Sequence, residues 1–251
     1  MQSRSFASLR MTAAAALELL LPPACVACER LLDDGERGLV CGRCWIRLAP
    51  LPAPRCDRCG HPVQRSRCAW CELLPPYVRA CRSVAWMHAG TGASIVHALK
   101  YGGWHAVAID MAVRMARLDW PFDVQEERSM ILPVPLAKSR ERERGFNQSE
   151  RLACALATHW SICLRTDLLE RTRVTRTQTR LTPEERLANV SGAFRARDAN
   201  RSDLRNAHVV LVDDVVTTAA TLNACAAALL AGGARIVSYV TFGRAPAIGD
   251  R

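Results

Sequence analysis

Eight of the twelve cysteines in this 251-residue chain lie between Cys25 and Cys71. They form four Cys-x-x-Cys pairs: Cys25/Cys28, Cys41/Cys44, Cys56/Cys59 and Cys68/Cys71. Two thiolates flanking a tight turn can face one tetrahedral ion, and two such turns supply four sulfur ligands. One two-residue gap repeated four times is unusual for a secreted disulfide framework. It points to two structural zinc ions in a reducing compartment. Sequential pairing gives sites 25/28/41/44 and 56/59/68/71, and an interleaved pairing satisfies the same spacing. Four thiolates per ion leave no open coordination position, so the metal is structural and not catalytic. His61 is left out, because eight sulfurs already fill two sites. A redox role would need only one pair.

The second constellation is His-Val-Val-Leu-Val-Asp-Asp-Val-Val-Thr-Thr-Ala-Ala-Thr, residues 208–221. An apolar strand at 209–212 carries Asp213 and Asp214 to the carboxyl edge of a sheet, where open α/β folds bind ligands. The adjacent carboxylates can accept hydrogen bonds from two neighbouring sugar hydroxyls, or hold Mg²⁺. A small hydroxylated loop then leads into an Ala-rich helix. Its backbone N–H groups and the hydroxyls of Thr217, Thr218 and Thr221 can surround a phosphate. The bland alternative is a strand end with a capping acid, which one aspartate would satisfy.

This segment resembles the phosphoribosyl-pyrophosphate (PRPP) motif of type I phosphoribosyltransferases. The resemblance implies that Asp213 and Asp214 bind the ribose 2′- and 3′-hydroxyls. It also implies that Val215, Val216, Thr217, Thr218, Ala219, Ala220 and Thr221 wrap the 5′-phosphate. The family often has glycine at the position of Ala219, where a methyl crowds the closest backbone approach. Further segments narrow the match: Pro133-Val134-Pro135, then Arg144-Gly145-Phe146-Asn147-Gln148, then Arg171-x-Arg173 with Thr175, Gln178 and Leu181, then Glu185-Arg186 and Asn189. Together they resemble the ComF family (competence protein, GntX-like), over about residues 20–245. That family joins a double zinc ribbon to a phosphoribosyltransferase domain and is linked to DNA uptake. The resemblance implies PRPP accompanied by Mg²⁺ as ligand and places Val134, Pro135, Arg144 and Gly145 around the pyrophosphate. It puts Arg176 and Arg180 on a flexible loop that closes over it, and Lys100 where related enzymes contact ligand.

The elements that must position these groups follow from composition and periodicity. Residues 20–76 are rich in Cys, Pro and Arg, as expected where metal holds the fold. Residues 73–77, with Pro75 and Pro76, read as a linker. Beyond about residue 81 strands and helices alternate: strands at 83–87, 130–134, 209–212 and 236–242, helices at 91–101, 107–118, 148–159 and 221–230. Asn147 is a suitable N-cap. Alternation of this kind predicts an α/β fold, a mostly parallel sheet covered by helices. The expected organisation is therefore a zinc ribbon module over 20–76 and a phosphoribosyltransferase-like domain over 81–245. After Pro135 a loop is expected to lead through Arg140, Arg142 and Arg144 to the next helix. The run 171–180 carries four Arg and no acid, so it is also expected as loop. Cys81, Cys154, Cys163 and Cys225 are expected to be buried small apolar residues. Trp45 and Trp70 are expected to pack around the ribbons.

The formal charge is +10, with only Lys100 and Lys138 as lysines among 34 basic residues. Residues 1–80 contribute 11 Arg against seven acids. Eight thiolates holding two Zn²⁺ would bring that segment to about neutral. Net charge therefore gives only weak support for nucleic-acid binding. No apolar run approaches the roughly 18 residues of a membrane span. Residues 1–24 lack a cleavage-site pattern and read as a short amphipathic helix of a cytoplasmic protein. Two functions compete. One is PRPP binding with phosphoribosyl transfer to an unidentified nitrogen acceptor and release of pyrophosphate. The other is a non-catalytic accessory protein that binds single-stranded DNA or other nucleic acid, or DNA-processing proteins, and uses the transferase fold as sensor or scaffold.

Overall fold

The computed structural model describes residues 23–33, 35–63, 68–88, 90–173, 185, 189–198 and 201–246. Within them the helices are α1 (Gly42–Ile46), α2 (Thr91–Tyr101), α3 (Val107–Ala116), α4 (Phe122–Glu127), α5 (Lys138–Arg144), α6 (Gln148–Trp160), α7 (Arg201–Leu204) and α8 (Ala220–Ala231). The strands are β1 (Val78–Trp86), β2 (Arg128–Pro133), β3 (Cys163–Leu164), β4 (Leu169–Arg171), β5 (Phe194–Ala196), β6 (His208–Val216) and β7 (Ile236–Arg244). Five strands form one sheet in the order β1-β7-β6-β2-β3, with every neighbour parallel. β4 and β5 pair antiparallel as a separate ribbon.

Side chains of β6 alternate between two apolar layers, as the period of two requires. Val209 and Leu211 enter one core with Leu222, Cys225 and Leu229 of α8. Val210 and Val212 enter the other with Ile95 and Leu99 of α2, Met111 and Met115 of α3, and Leu152 and Leu156 of α6. β6 is thus buried on both faces, which explains its continuous apolar run.

The cysteine segments are built into these same two layers. Cys59, Trp70 and Leu74 belong to the α8 face. Cys25, Val40, Cys41 and Cys44 belong to the opposite face. The two halves of the cysteine region therefore cover opposite sides of one sheet. They also cover its outer edge. Cys81 N–H donates to the Arg58 carbonyl and Trp86 N–H to the Ala49 carbonyl, both at 2.8 Å. An unpaired edge strand is thereby protected.

The strands outrun their expected bounds. β1 begins at Val78, so residues 73–77 lead directly into the sheet through a 3-10 turn (Ala69–Leu73). β6 runs to Val216, because β7 continues beside it with Asp213 opposite Thr241 and Val216 opposite Arg244. Asp213 to Val216 are strand residues, and the loop proper is 217–219. Residues 138–144, expected as loop, form α5, a helix with no buried residue. It lacks apolar periodicity and is supported by an Arg140–Glu143 pair at 2.8 Å. Cys81 and Cys225 are buried as expected, whereas Cys154 and Cys163 are exposed. The first lies on the outer face of α6 and the second on the sheet's outermost strand, so neither contributes to the core.

Candidate functional site

β6 ends at a cavity of about 430 Å³ lined by residues of β6, the loop after it, α2, α5, α6 and β4. Its floor is the aspartate pair. Ser149 Oγ donates to Asp213 Oδ1 at 2.8 Å, and the Asp214 N–H donates to the same oxygen at 2.9 Å. Gln148 Nε2 donates to Asp214 Oδ1 at 3.3 Å. Ser149 and Gln148 are aimed there by the start of α6. Asn147 caps that helix by accepting the Ser149 N–H at 3.0 Å, and its Nδ2 donates to the Val134 carbonyl at 3.0 Å. The Arg144–Gln148 segment thus orients the acids, a role beyond the pyrophosphate cradle expected for it.

Lys100, from the last turn of α2, forms an ion pair with Asp214. Burial opposes ionisation of Asp214, but the Lys100 ammonium holds its carboxyl below the ordinary range. Burial, together with the charge of Asp214, pushes Asp213 up to about 7. Lys100 titrates above the usual lysine range, because attraction to Asp214 outweighs its desolvation. The acids are therefore not free, and their partners Lys100, Gln148 and Ser149 themselves line the cavity.

Beside the acids, Thr217 is exposed and Thr221 half-buried. Ala219, Ala220, Thr221 and Leu222 present the start of α8 to the cavity. Ala219 is the N-cap and has no side chain to cap the helix, so the positive end of the helix dipole faces the open space. Ala219 adopts φ 58 and ψ 5, the left-handed conformation. Glycine would adopt that turn without the penalty that a Cβ brings.

Among the described residues four cations rim the cavity: Lys100, Arg140, Arg144 and Arg171. Arg144 Nη1 donates to Gln148 Oε1 at 2.7 Å and Nη2 to the Tyr101 hydroxyl at 3.2 Å, with the guanidinium 4.9 Å from the Tyr101 ring centre. Arg171 sits on β4 and also lines a neighbouring cavity of about 480 Å³ with Lys138, Glu170 and Arg195.

Most expected residues meet here: Asp213, Asp214, Val215, Val216, Thr217, Ala219, Ala220, Thr221, Lys100, Val134, Pro135 and Arg144 all line the cavity. Two described ones do not. Gly145 forms the left-handed cap of α5 at φ 80, a conformation the turn requires. Thr218 lies outside the lining, its buried Oγ1 without a hydrogen-bond partner among the described residues. Arg176 and Arg180 fall outside the described residues. Tyr101 and Ser149 line the cavity without a motif that marks them as site residues, and Gln148, which ends the Arg144–Gln148 motif, lines it without being an expected site residue. Adjacency to Lys100 and to the helix cap is the signal available for them.

The cysteines gather in two sets, Cys25/Cys28/Cys41/Cys44 and Cys56/Cys59/Cys68/Cys71, each with its sulfurs within 4.8 Å of one another. The pairing is sequential. Zn–S bonds of about 2.3 Å imply S···S separations of about 3.8 Å in a tetrahedron. The Cys28–Cys41 separation is 3.8 Å, and the Cys56–Cys71 and Cys59–Cys68 separations are 3.3 Å. Within each set the thiols diverge: burial opposes the thiolate at Cys41 and Cys56 but hydrogen bonds from neighbouring backbone and thiols bring them down to about 6 and about 7, whereas burial pushes Cys44, Cys59 and Cys71 up. Both sets fit a four-sulfur zinc centre. His61 is not a ligand; it stacks on Trp70 with ring centres 6.0 Å apart.

Residues 16–83 match the model of the double zinc ribbon domain, and residues 152–248 match the phosphoribosyl transferase domain. The chain is 32% identical over 228 residues to the DNA utilization protein YhgH of Escherichia coli O6:H1, covering 87% of this chain and 96% of the relative. It is 29% identical to competence protein F of Haemophilus influenzae, covering 79% of this chain and 87% of the relative. It is 27% identical to competence protein ComFC of Bacillus subtilis, covering 81% and 82%. With two four-cysteine sets, a parallel sheet ending in an aspartate pair, and these relatives along most of its length, the chain belongs to the ComF family of double zinc ribbon–phosphoribosyltransferase proteins.

Proposed function

We propose that the protein binds Mg·PRPP in the β6 cavity and transfers the phosphoribosyl group to a nitrogen acceptor, releasing pyrophosphate. One observation carries this reading. A diacid floor, an uncapped helix start and four cations share one cavity. A sugar phosphate bearing a pyrophosphate has that charge pattern: neutral hydroxyls in its middle and anions at both ends. Asp213 and Asp214 accept the ribose hydroxyls. The backbone at 217–221 takes the 5′-phosphate. Lys100, Arg140, Arg144 and Arg171 face the pyrophosphate and stabilise the charge that develops as it leaves. Magnesium, when bound with PRPP, neutralises pyrophosphate oxygens. The protein contributes orientation and electrostatics and little covalent chemistry. Thiolate zinc centres suit a reducing compartment, which supports a cytoplasmic site of action. No helix among the described residues is long and apolar enough to cross a membrane.

The test is pyrophosphate release from PRPP, screened over nucleobases, amines and nucleic acids. Turnover with any acceptor, abolished in Asp213→Asn/Asp214→Asn, supports transfer. Binding without turnover in every case reduces the reading to a PRPP sensor. The relatives' names, DNA utilization protein and competence protein, favour a second reading in which single-stranded DNA or a DNA-processing protein is the partner. A salt-dependent shift of single-stranded DNA that survives the double aspartate substitution supports it, and no binding at low salt removes it.

A further inference from the structure

Arg244, the last residue of β7, has no exposed surface. Among the described residues it has no carboxylate partner. Its Nη2 donates to the Cys59 carbonyl at 2.6 Å and to Cys81 Sγ at 3.1 Å, and its Nε to Ser83 Oγ at 3.4 Å. Its guanidinium lies 4.4 Å from the Trp70 ring centre, and among the described residues its buried Nη1 has no hydrogen-bond partner. A buried cation needs an anion nearby. The Cys81 thiol that it touches is kept protonated by burial, so the charged group to which its contacts lead is the second cysteine set, reached through the Cys59 carbonyl. Four thiolates around Zn²⁺ carry a net charge of −2.

Two further guanidiniums address the same ribbon. Arg58 Nη1 donates to the Cys71 carbonyl at 3.3 Å, and Arg82 Nη2 donates to the Asp57 carbonyl at 2.8 Å. Arg244 differs from them in where its backbone leads. It stands opposite Val216 in the β6–β7 ladder, and the Ala245 N–H donates to the Val216 carbonyl at 2.8 Å. Val216 is the residue before the loop at 217–219. One side chain therefore spans the distance from the second cysteine set to the strand end that carries the proposed phosphate loop.

We propose that Arg244 is a positioning residue through which the charge of the zinc-loaded second centre holds the 217–221 loop in its ligand-ready conformation. The loop's name rests on the PRPP reading, but the tie itself does not. The second ribbon is then a working part of the site, and zinc occupancy and loop order are linked in both directions.

The experiment uses the full zinc-loaded chain without ligand, so failure of PRPP binding cannot be confused with failure of the tie. Hydrogen exchange is followed in peptides covering 215–222 and, as a control, 150–158. N-ethylmaleimide labelling during chelation reports zinc loss cysteine by cysteine. Arg244→Met is expected to speed loop exchange by about tenfold and labelling of Cys56, Cys59, Cys68 and Cys71 by about fivefold, with the control peptide and the first cysteine set within about twofold. Arg244→Lys, which restores a cation, is expected to recover part of both effects. Once the second centre is emptied, Arg244→Met should add less than about a twofold change, which a merely structural role would not produce. Loop exchange and labelling both unchanged in folded Arg244→Met would overturn the proposal. Should that variant not fold, stepwise chelation of the wild type decides: loop exchange that rises as the second centre empties while the 150–158 peptide stays within about twofold supports the tie, and unchanged loop exchange, or a rise that the control peptide shares, overturns it.

Discussion

The ammonium of Lys100 and the carboxylate of Asp214 form an ion pair at the floor of the cavity, with the two side chains 23% and 5% exposed. In the ligand-free protein the lysine neutralises one of the two acids that the proposed ribose needs. When pyrophosphate arrives, the same ammonium has a second anion within the same cavity. Lys100→Met leaves a buried charge uncompensated and is expected to cost about 1–3 kcal/mol of stability, discounted from the usual cost of breaking a buried pair because the lysine is partly exposed. Adding Asp214→Asn should return most of that loss. Urea denaturation of the two single variants and the double variant checks this. A double variant less stable than Lys100→Met alone would contradict the pairing.

Asp213 gives the site a pH dependence. Its carboxyl titrates near 7, raised by burial and by Asp214. Hydroxyl donors prefer the ionised form, so PRPP affinity should rise as pH increases from about 6 to about 8. The same shift acts oppositely on the empty fold. A carboxyl that binds its proton more tightly when folded loses stability between the unfolded value of about 4 and 7. Titrations of wild type and Asp213→Asn separate this from the ligand's own phosphate ionisation, since the variant should lack the protein-derived part. Equal pH profiles for the two proteins would show that Asp213 is not the titrating group.

Ala219 carries a backbone cost. A left-handed residue with a Cβ is disfavoured by about 1–2 kcal/mol, and glycine removes that penalty. Ala219 is also buried, so its lost methyl contact offsets part of the gain. Ala219→Gly is expected to stabilise the protein by about 0.5–1 kcal/mol and to leave PRPP affinity equal or tighter. Thermal denaturation and titration measure both. A destabilised variant with weaker binding would mean that the methyl holds the loop.

Zinc removal should act on the whole molecule, because the two cysteine sets sit in opposite core layers of one sheet. The purified chain is expected to carry two zinc ions, and Cys28→Ser or Cys59→Ser to carry about one. Either variant should melt several degrees lower, as metal binding is coupled to folding. Metal analysis with scanning calorimetry tests this. Chelation that removes both ions without changing the melting temperature would contradict a structural role.

The aspartate pair, the four Cys-x-x-Cys turns, and helices α2, α3, α6 and α8 were legible because each has a strong local signature in spacing or periodicity. Helix α5 was not, because Lys-Ser-Arg-Glu-Arg-Glu-Arg has no apolar stripe to read. The full length of β6 is hidden in the sequence because two acids and a threonine loop resemble a strand end, and only pairing with β7 shows that Val215 and Val216 continue it. Gln148 and Ser149 lie beside a residue that reads as a cap. That they reach across to the acids depends on how α6 docks on β6, a tertiary fact. The merging of the cysteine region with both core layers was likewise invisible, since spacing specifies the metal sets and not what they pack against.

Isothermal titration of the zinc-loaded protein with PRPP in the presence of Mg²⁺ tests the central claim most directly. Wild type should bind with measurable heat at one site per chain. Asp213→Asn/Asp214→Asn should weaken binding by about 100-fold or more, the loss expected for two charge-assisted hydrogen bonds. Absence of heat with folded wild type, or equal affinity in the double variant, would contradict the account.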